Sequence, residues 1–411
     1  MRRILVRLWR SRAGRLLGRI GWTVVPERLF LRLLPSSQRY SDADILPSPP
    51  RTDSPNTRLF VGPVNYAGQG HMWAKAAEGC LDGVSGYSMS YSQPTDFQFA
   101  VDQRVPGAAF AFSRRWHELQ RREVTANFTH VLVEAERPIF GRLFVDSAAD
   151  QIDALLEAGV KVAMVAHGSD VRLPSRHARR VDDSPFRDNF WDETPELERL
   201  VRANLALLDQ LGLPTYVSTP DLLLDVPNAR WLPVVVEFDR WQVDRVPLMS
   251  LVPHVAHVSS QGVVKGTALI EPTLRRLEAE GLIRYTRIEG DPPAEMPALY
   301  RDADVVLDQF RLGDYGVAAC EALASGCVVV GHVSEHARAV VAAQTGWSLP
   351  IVESSAANLD QVLRTILSDR PRFQDEARRG VEFVREVHDG SMSANRLAEF
   401  LEAPEHDVLE L

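Results

Sequence analysis

Residues 302–331, DADVVLDQFRLGDYGVAACEALASGCVVVG, constrain this chain more than any other stretch. The apolar run Val305 to Leu307 reads as a buried strand, and a second such strand is expected over 327–331. Between them lie a glycine-bearing loop and a helical segment whose early residues are nearly all small or apolar. Two strands joined through a helix pair in parallel, since a tight turn serves only antiparallel neighbours. Into that helix the sequence places one carboxylate, Glu321. A buried, unpaired carboxylate is costly, so Glu321 demands a polar partner or a ligand. The loop at Gly313–Gly316 brings backbone N–H groups to a helix N-terminus, a ready anion site. A phosphate beside the loop and hydroxyls beside Glu321 answer both demands, and a sugar nucleotide carries both.

The same alternation extends along the chain. Strands are expected at 59–61, 130–134, 161–166 and 215–218, with helices near 71–80, 108–122, 148–158 and 195–211. A second set follows Pro253, with strands at 254–258, 283–288, 304–308 and 327–331. Its helices fall near 267–280, 295–302, 316–325, 335–344, 358–368 and 372–387. Short apolar strands between amphipathic helices imply parallel sheets covered on both faces. With 411 residues and roughly 100–200 per domain, the expectation is two doubly wound α/β domains. The first spans 58–235 and the second 236–390, joined through PNARWLPVVVEFDRW, with a C-terminal helix and tail over 391–411. Ligands of such domains lie at the carboxyl ends of the strands.

Ahead of these lies a segment of different chemistry. Residues 1–40 hold ten arginines and one acid, Glu27, so the net charge of −9 leaves −18 on the remaining 371 residues. Ile4, Leu5, Leu8, Leu16, Leu17 and Ile20 recur at helical spacing among Arg3, Arg7, Arg10, Arg12, Arg15 and Arg19. This reads as a basic amphipathic helix, suited either to an anionic membrane surface or to docking on the chain's own acidic body. It lacks the apolar core of a secretory signal. Residues 41–57, rich in Pro, Ser and Asp, read as a linker. An acidic body excludes nucleic acid as a partner. The three cysteines (Cys80, Cys320 and Cys327) show no metal-binding or paired spacing, which fits a reducing, cytoplasmic compartment.

Four loops carry candidate chemistry. GPVNYAGQG (62–70) follows the first strand, and Gly68 lets backbone approach a ligand, although a simple tight turn serves equally. AMVAHGSDVR (163–172) puts His167 where a buried strand ends, able to bond a sugar hydroxyl or to serve structure alone. In the same loop Asp170 and Arg172 are expected to pair. The segment 173–194, with Phe186, Phe190 and Trp191, is expected as a lid or acceptor loop. HVSSQGVVKGT (257–267) carries Lys265, one of only three lysines among 46 basic residues, positioned to neutralise a departing diphosphate. In the fourth loop, Tyr315 is expected to pack on the ligand, and Asp314 either to line the site or to cap the helix. Asp302 and Asp304 mimic a DxD metal motif but are expected at a solvated strand edge, so no metal site is assigned.

Together these residues resemble the retaining, two-Rossmann-domain (GT-B) glycosyltransferases of the group-1 type, family 4. The resemblance rests on Lys265–Thr267, Ile288–Gly290, Leu299–Tyr300, Ala303–Gln309 and the G-x-YG-x4-E run within Gly313–Gly326. In the N-terminal half it rests on NYAGQ (65–69), HGSDVR (167–172) and STPDLL (218–223). It implies two facing Rossmann-like domains, acceptor domain first and nucleotide-sugar domain second. By position it implies Lys265 on the donor diphosphate, Glu321 on the donor ribose, His167 near the transferred sugar and Gly68 near the donor–acceptor junction. Gly313, Asp314, Tyr315 and Gly316 form the donor loop. Two positions depart from the family: Ser259 stands where an arginine is usual, and Gly313 where the first glutamate of an E-x7-E pair is usual. Phosphate neutralisation then falls on Lys265 and the loop amides, with Arg311 a candidate helper.

The resemblance implies a retaining, metal-independent transfer with no cofactor, from a nucleotide-diphosphate sugar to a glycan or lipid-linked acceptor, in envelope or polysaccharide synthesis. A sugar-nucleotide epimerase and a non-catalytic nucleotide-sugar-binding module are the alternatives. The arginine-rich start places the protein peripherally at the inner face of the plasma membrane. A chain lacking residues 1–40 is therefore expected to lose binding to anionic liposomes in a flotation assay; undiminished binding removes the membrane role of this segment.

Overall fold

The computed structural model describes residues 29, 32, 39–48, 56–92, 97, 99–141, 147–187, 191–259 and 262–402. The basic segment 1–40 therefore lies almost wholly outside the described residues, as do Phe190 and the tail beyond 402. Among the described residues twelve strands run in chain order: β1 Thr57–Gly62, β2 Val84–Tyr91, β3 Gln103–Val105, β4 His130–Glu134, β5 Lys161–Ala166, β6 Thr215–Val217, β7 Arg230–Trp231, β8 His254–Val258, β9 Arg284–Ile288, β10 Val305–Leu307, β11 Val328–Gly331 and β12 Val352–Glu353. They form a seven-stranded sheet, β3-β2-β1-β4-β5-β6-β7, and a five-stranded sheet, β12-β11-β10-β8-β9. Pairing in the second sheet is parallel throughout. In the first, β1–β2, β1–β4, β2–β3, β4–β5 and β6–β7 are parallel. The expected doubly wound α/β architecture is the one observed.

The chain divides into two compact units. One takes the described residues up to Val165, Leu207–Pro214 and the stretch beginning at Glu399; the other takes Ala166–Ala206 and Thr215–Ala398. In the first unit the chain's last described residues complete the packing. The Thr57 hydroxyl donates to the Leu401 carbonyl, Lys161 pairs with Glu402, and the Phe400 ring meets His130 edge-on.

Alternation along the central strands explains how the second unit is filled. Val305 and Leu307 face a core with Leu274, Leu277, Leu363 and Ile366, from the helices Thr267–Ala279 and Leu359–Ser368. Val306 and Val329 point the other way, to Ala319, Leu323, Phe383 and Val384. That second face carries the helices Val317–Ala324 and Arg370–Val387. These two helices touch closely: a Cβ on Gly380 would stand 2.7 Å from Leu323 Cδ2. Both faces are thus sealed, which is why β10 and β11 read as unbroken valine-rich runs.

Several expectations are corrected. The helix expected over 108–122 is two, Gly107–Phe112 and Arg114–Asn127, divided at Ser113, whose hydroxyl accepts from the Trp116 amide at 3.2 Å. Segment 173–194 is not an open loop. It forms the helix Pro174–Arg180 and then folds back, with His177 Nδ1 2.8 Å from Ser184 Oγ and Arg187 Nε donating to the Ala178 carbonyl at 2.6 Å. Part of the expected linker is docked, since Ser48 is buried and bonded to Gln120 and Gln103. Asp304 is also buried rather than solvated, because it accepts from the Leu248 and His254 amides at 2.8 and 2.9 Å. Asp302 remains outside, paired with Arg284. Among the described residues no helix is long and apolar enough to cross a membrane.

Candidate functional site

The second unit gathers the donor-type residues at the carboxyl ends of β8 and β10. After β8 the chain makes one helical turn, Gly262–Lys265, and then passes through Gly266 at φ +83° into the helix Thr267–Ala279. Glycine is required there by backbone and by space, since a Cβ would stand 2.9 Å from Arg311 Cγ. This tight passage aims Lys265 at the end of the neighbouring strand. Its carbonyl accepts from the Phe310 amide at 3.0 Å, and its ammonium donates to Asp308 Oδ1 at 2.7 Å. Asp308 is buried just past β10, and its amide bonds the Val330 carbonyl. Lys265 is thus a partly covered cation held by one carboxylate, oriented rather than free to sweep.

The turn that follows is templated by Gln309. Its Nε2 donates to the carbonyls of Asp314 and His332, both at 2.5 Å, and its Oε1 accepts from the amides of Arg311 and Leu312 at 3.0 and 2.7 Å. Gly313 adopts φ +73°, and Gly316 is the N-cap of the helix Val317–Ala324. That N-cap receives no side-chain hydrogen bond, so Asp314 does not cap the helix. Asp314 instead turns to Arg172, which bonds both Asp314 and Asp221 (Nη2 to Asp221 Oδ2, 2.8 Å). Asp170 is not the partner of Arg172; its carboxylate accepts from the amides of His167 and Gly168 at 2.8 and 2.5 Å. Burial pushes Asp314 up to about 7 against the pull of Arg172, with Asp221 and Asp308 pushing the same way as burial. Burial opposes the charge of Arg172, yet Asp221 and Asp314 more than offset it and raise its pKa.

Tyr315 is also reassigned. Its ring is buried against Phe383 and His388, with its hydroxyl 3.4 Å from His388 Nε2, so the side chain serves the core rather than a ligand. Arg311 lies beneath the turn, donating to the carbonyls of Asp183, Ser184 and Val263. Ser259 is buried in a chain of bonds through Thr267 Oγ1 to His257. Burial drives His257 down to about 4, keeping it neutral.

Glu321 lies one turn into the helix. Its carboxylate makes no hydrogen bond among the described residues, and burial pushes its pKa up to about 8 despite the pull of Arg240 and Lys265. Lys265 is thus one of the cations whose charge acts on Glu321. Cys320 and Cys327 are fully buried core residues, as expected. His167 follows β5 directly; its carbonyl accepts from Ser218 Oγ at 3.1 Å, and Gly168 beside it adopts φ +149°. A cleft of about 650 Å³ in the same unit is lined by Arg172, His177, Asp221, Leu312, His332 and His336, among others.

In the first unit, Gly68 sits at φ +77° and caps the helix Gln69–Cys80. The loop's shape is set by Glu134, which sequence reasoning missed. This fully buried carboxylate accepts from the amides of Val64 and Asn65 at 3.2 and 3.0 Å. Gly70 is glycine for the same reason, since a Cβ would stand 2.8 Å from the Glu134 oxygens. Among the described residues no group of three or more His, Cys, Asp or Glu is arranged to hold a metal ion.

No protein-family model and no curated protein sequence matches the chain. In structure it is similar to sucrose-phosphate synthase from Thermosynechococcus elongatus, with TM-score 0.52 and 12% identity over 84% of this chain and 98% of that one. It is similar also to Anabaena Alr3699/HepE solved in complex with UDP and glucose, with TM-score 0.54 and 12% identity over 84% of this chain and 99% of that one. The same protein in complex with UDP-glucose gives TM-score 0.51 at 11% identity. The chain has the GT-B fold.

The pKa of Glu321 carries a testable consequence. In the folded chain it lies above the ordinary carboxylate value of 4.5, at about 8. Between about pH 5 and 8 the folded state keeps a proton that the unfolded state releases, so this group's contribution to stability falls as pH rises. Glu321→Gln removes that loss. The variant's melting temperature is expected to gain on the wild type as pH goes from 5 to 8; a constant difference across that range means that Glu321 is ionised throughout.

Proposed function

We propose that this protein is a retaining glycosyltransferase, moving a sugar from a nucleotide-diphosphate donor to a glycan or lipid-linked acceptor. One observation carries the reading: an oriented ammonium, Lys265, lies within electrostatic reach of Glu321, a carboxylate without a hydrogen-bond partner among the described residues, beside an uncapped helix N-terminus. Lys265 and the amides of the Gly313–Gly316 turn hold the diphosphate, and Glu321 grips ribose hydroxyls. The neighbours solved with UDP, glucose and UDP-glucose support the ligand class. In this reading residues 58–235 form the acceptor domain, with Gly68 near the junction, and residues 236–390 the donor domain.

The chemistry follows from charge. As the bond from the anomeric carbon to the diphosphate oxygen breaks, negative charge grows on the phosphate, where Lys265 and the amides stabilise it. The acceptor oxygen bonds to the anomeric carbon from the same face, and its proton passes to the departing phosphate oxygen. No protein nucleophile, metal or cofactor takes part. Asp308 holds Lys265 in register before the donor arrives. His167 bonds a hydroxyl of the transferred sugar. The acceptor class places the enzyme in envelope or polysaccharide synthesis, with residues 1–40 as its hold on the inner leaflet.

A thermal-shift screen across nucleotide sugars tests the reading, because a matched donor stabilises the folded state by mass action. With the stabilising donor, Lys265→Ala and Glu321→Ala are each expected to weaken binding by about 1–3 kcal/mol in calorimetry, the range for hydrogen bonds involving charge. Unchanged affinity in both removes the site. His167→Ala is expected to lower kcat while donor affinity is kept; wild-type turnover reduces His167 to a structural residue.

A further inference from the structure

Gly313 stands where the glycosyltransferases that the sequence resembles carry the first glutamate of their donor motif, and the structure shows what faces it. A Cβ built on Gly313 would stand 3.5 Å from His332 Nε2 and 3.4 Å from Ser334 Cβ. At 313 the chain offers no side chain, and φ +73° disfavours one. His332 comes from the loop after β11, held against the same turn at two points. Its carbonyl accepts from Gln309 Nε2, and the Ser334 amide donates to the Gly313 carbonyl at 2.9 Å.

The imidazole itself is oriented from behind. Nδ1 lies 2.7 Å from Glu353 Oε1, while Glu353 Oε2 accepts from the Val333 amide at 2.9 Å and from Arg338 Nη2 at 3.0 Å. A carboxylate on Nδ1 accepts a hydrogen bond from that nitrogen and fixes the ring's orientation. Among the described residues Nε2 has no hydrogen-bond partner, and His332 lines the cleft of about 650 Å³. A ring locked at one nitrogen and open at the other is arranged to hydrogen-bond a hydroxyl, and the Gly313 turn lies beside it.

We propose that His332, oriented by Glu353, contacts a hydroxyl of the donor's sugar in the cleft beside the Gly313 turn. This rests on the donor-site reading and adds to it a residue that selects the sugar rather than the nucleotide. His332 is the contact, and Glu353 a positioning residue.

The experiment separates the two layers. Full-length wild type, His332→Ala and Glu353→Gln are titrated by calorimetry with UDP, UDP-glucose, GDP and GDP-mannose. For the base that binds, His332→Ala is expected to weaken the sugar nucleotide by roughly three- to tenfold, the worth of one hydrogen bond. Its affinity for the nucleoside diphosphate alone is expected to match that of wild type. Glu353→Gln is expected to show the same split to a smaller degree, with a melting temperature close to wild type. Equal affinities of wild type and His332→Ala for the sugar nucleotide overturn this inference and leave the donor site standing. Equal weakening of sugar nucleotide and diphosphate overturns it too, by moving the contact to the phosphates. Wild type binding none of the four overturns the donor reading and this inference with it.

Discussion

One side-chain amide organises the site. Gln309 is buried and spends all four of its hydrogen-bonding positions on the backbone, bridging Asp314, His332, Arg311 and Leu312. A buried amide group left unbonded costs about 1–3 kcal/mol, so the turn has few alternative shapes. From this clamp follow the left-handed Gly313, the uncapped start of the helix bearing Glu321, and the approach of the loop after β11. The sheet supplies the strand ends, and Gln309 converts them into a defined loop.

Much of the charge around that loop is arranged in closed pairs. Lys265 is matched by Asp308, Arg172 by Asp221 and Asp314, and Arg338 by Glu353. Removing one member of a buried pair leaves the other uncompensated, which makes the contacts of Arg172 and Lys265 structural as well as electrostatic. Glu321 stands apart, with a raised pKa and no hydrogen bond among the described residues. The site is thus poised rather than satisfied: the packing that shapes it leaves one group whose energy falls when a polar ligand enters.

Much of the fold was legible because buried parallel strands are short valine- and alanine-rich runs, as in β5, β10 and β11. β2 was not, although all eight of its residues are buried. Its sequence VSGYSMSY carries serines and a glycine because the helix Gln69–Cys80 lies almost on its backbone; a Cβ on Gly86 would meet the Ala74 carbonyl at 1.9 Å. β7 and β12, two residues each, are too short to leave a pattern. Lys265 and Glu321 stood out because each is a rare charge in a glycine-rich or apolar setting. The pairing of Arg172 with Asp314 spans 142 residues and leaves no local trace. Tyr315 was misread because an aromatic beside a ligand loop and one beneath it look alike in sequence. Gly70 similarly signals close approach without saying that the approaching group is Glu134.

The first unit is not finished by the first part of the chain. The amino ends of its central strands β1, β4 and β5 are covered by Phe400, Leu401 and Glu402, which pack on His130, Thr57 and Lys161. Those three residues leave the ribosome after all the other described residues of their own unit and after Thr215–Ala398 of the other. During synthesis the early unit waits with a piece of its surface unfilled while the later one is translated. The order of manufacture and the order of completion therefore run in opposite directions, and the closing stitch of the oldest segment is made by the youngest.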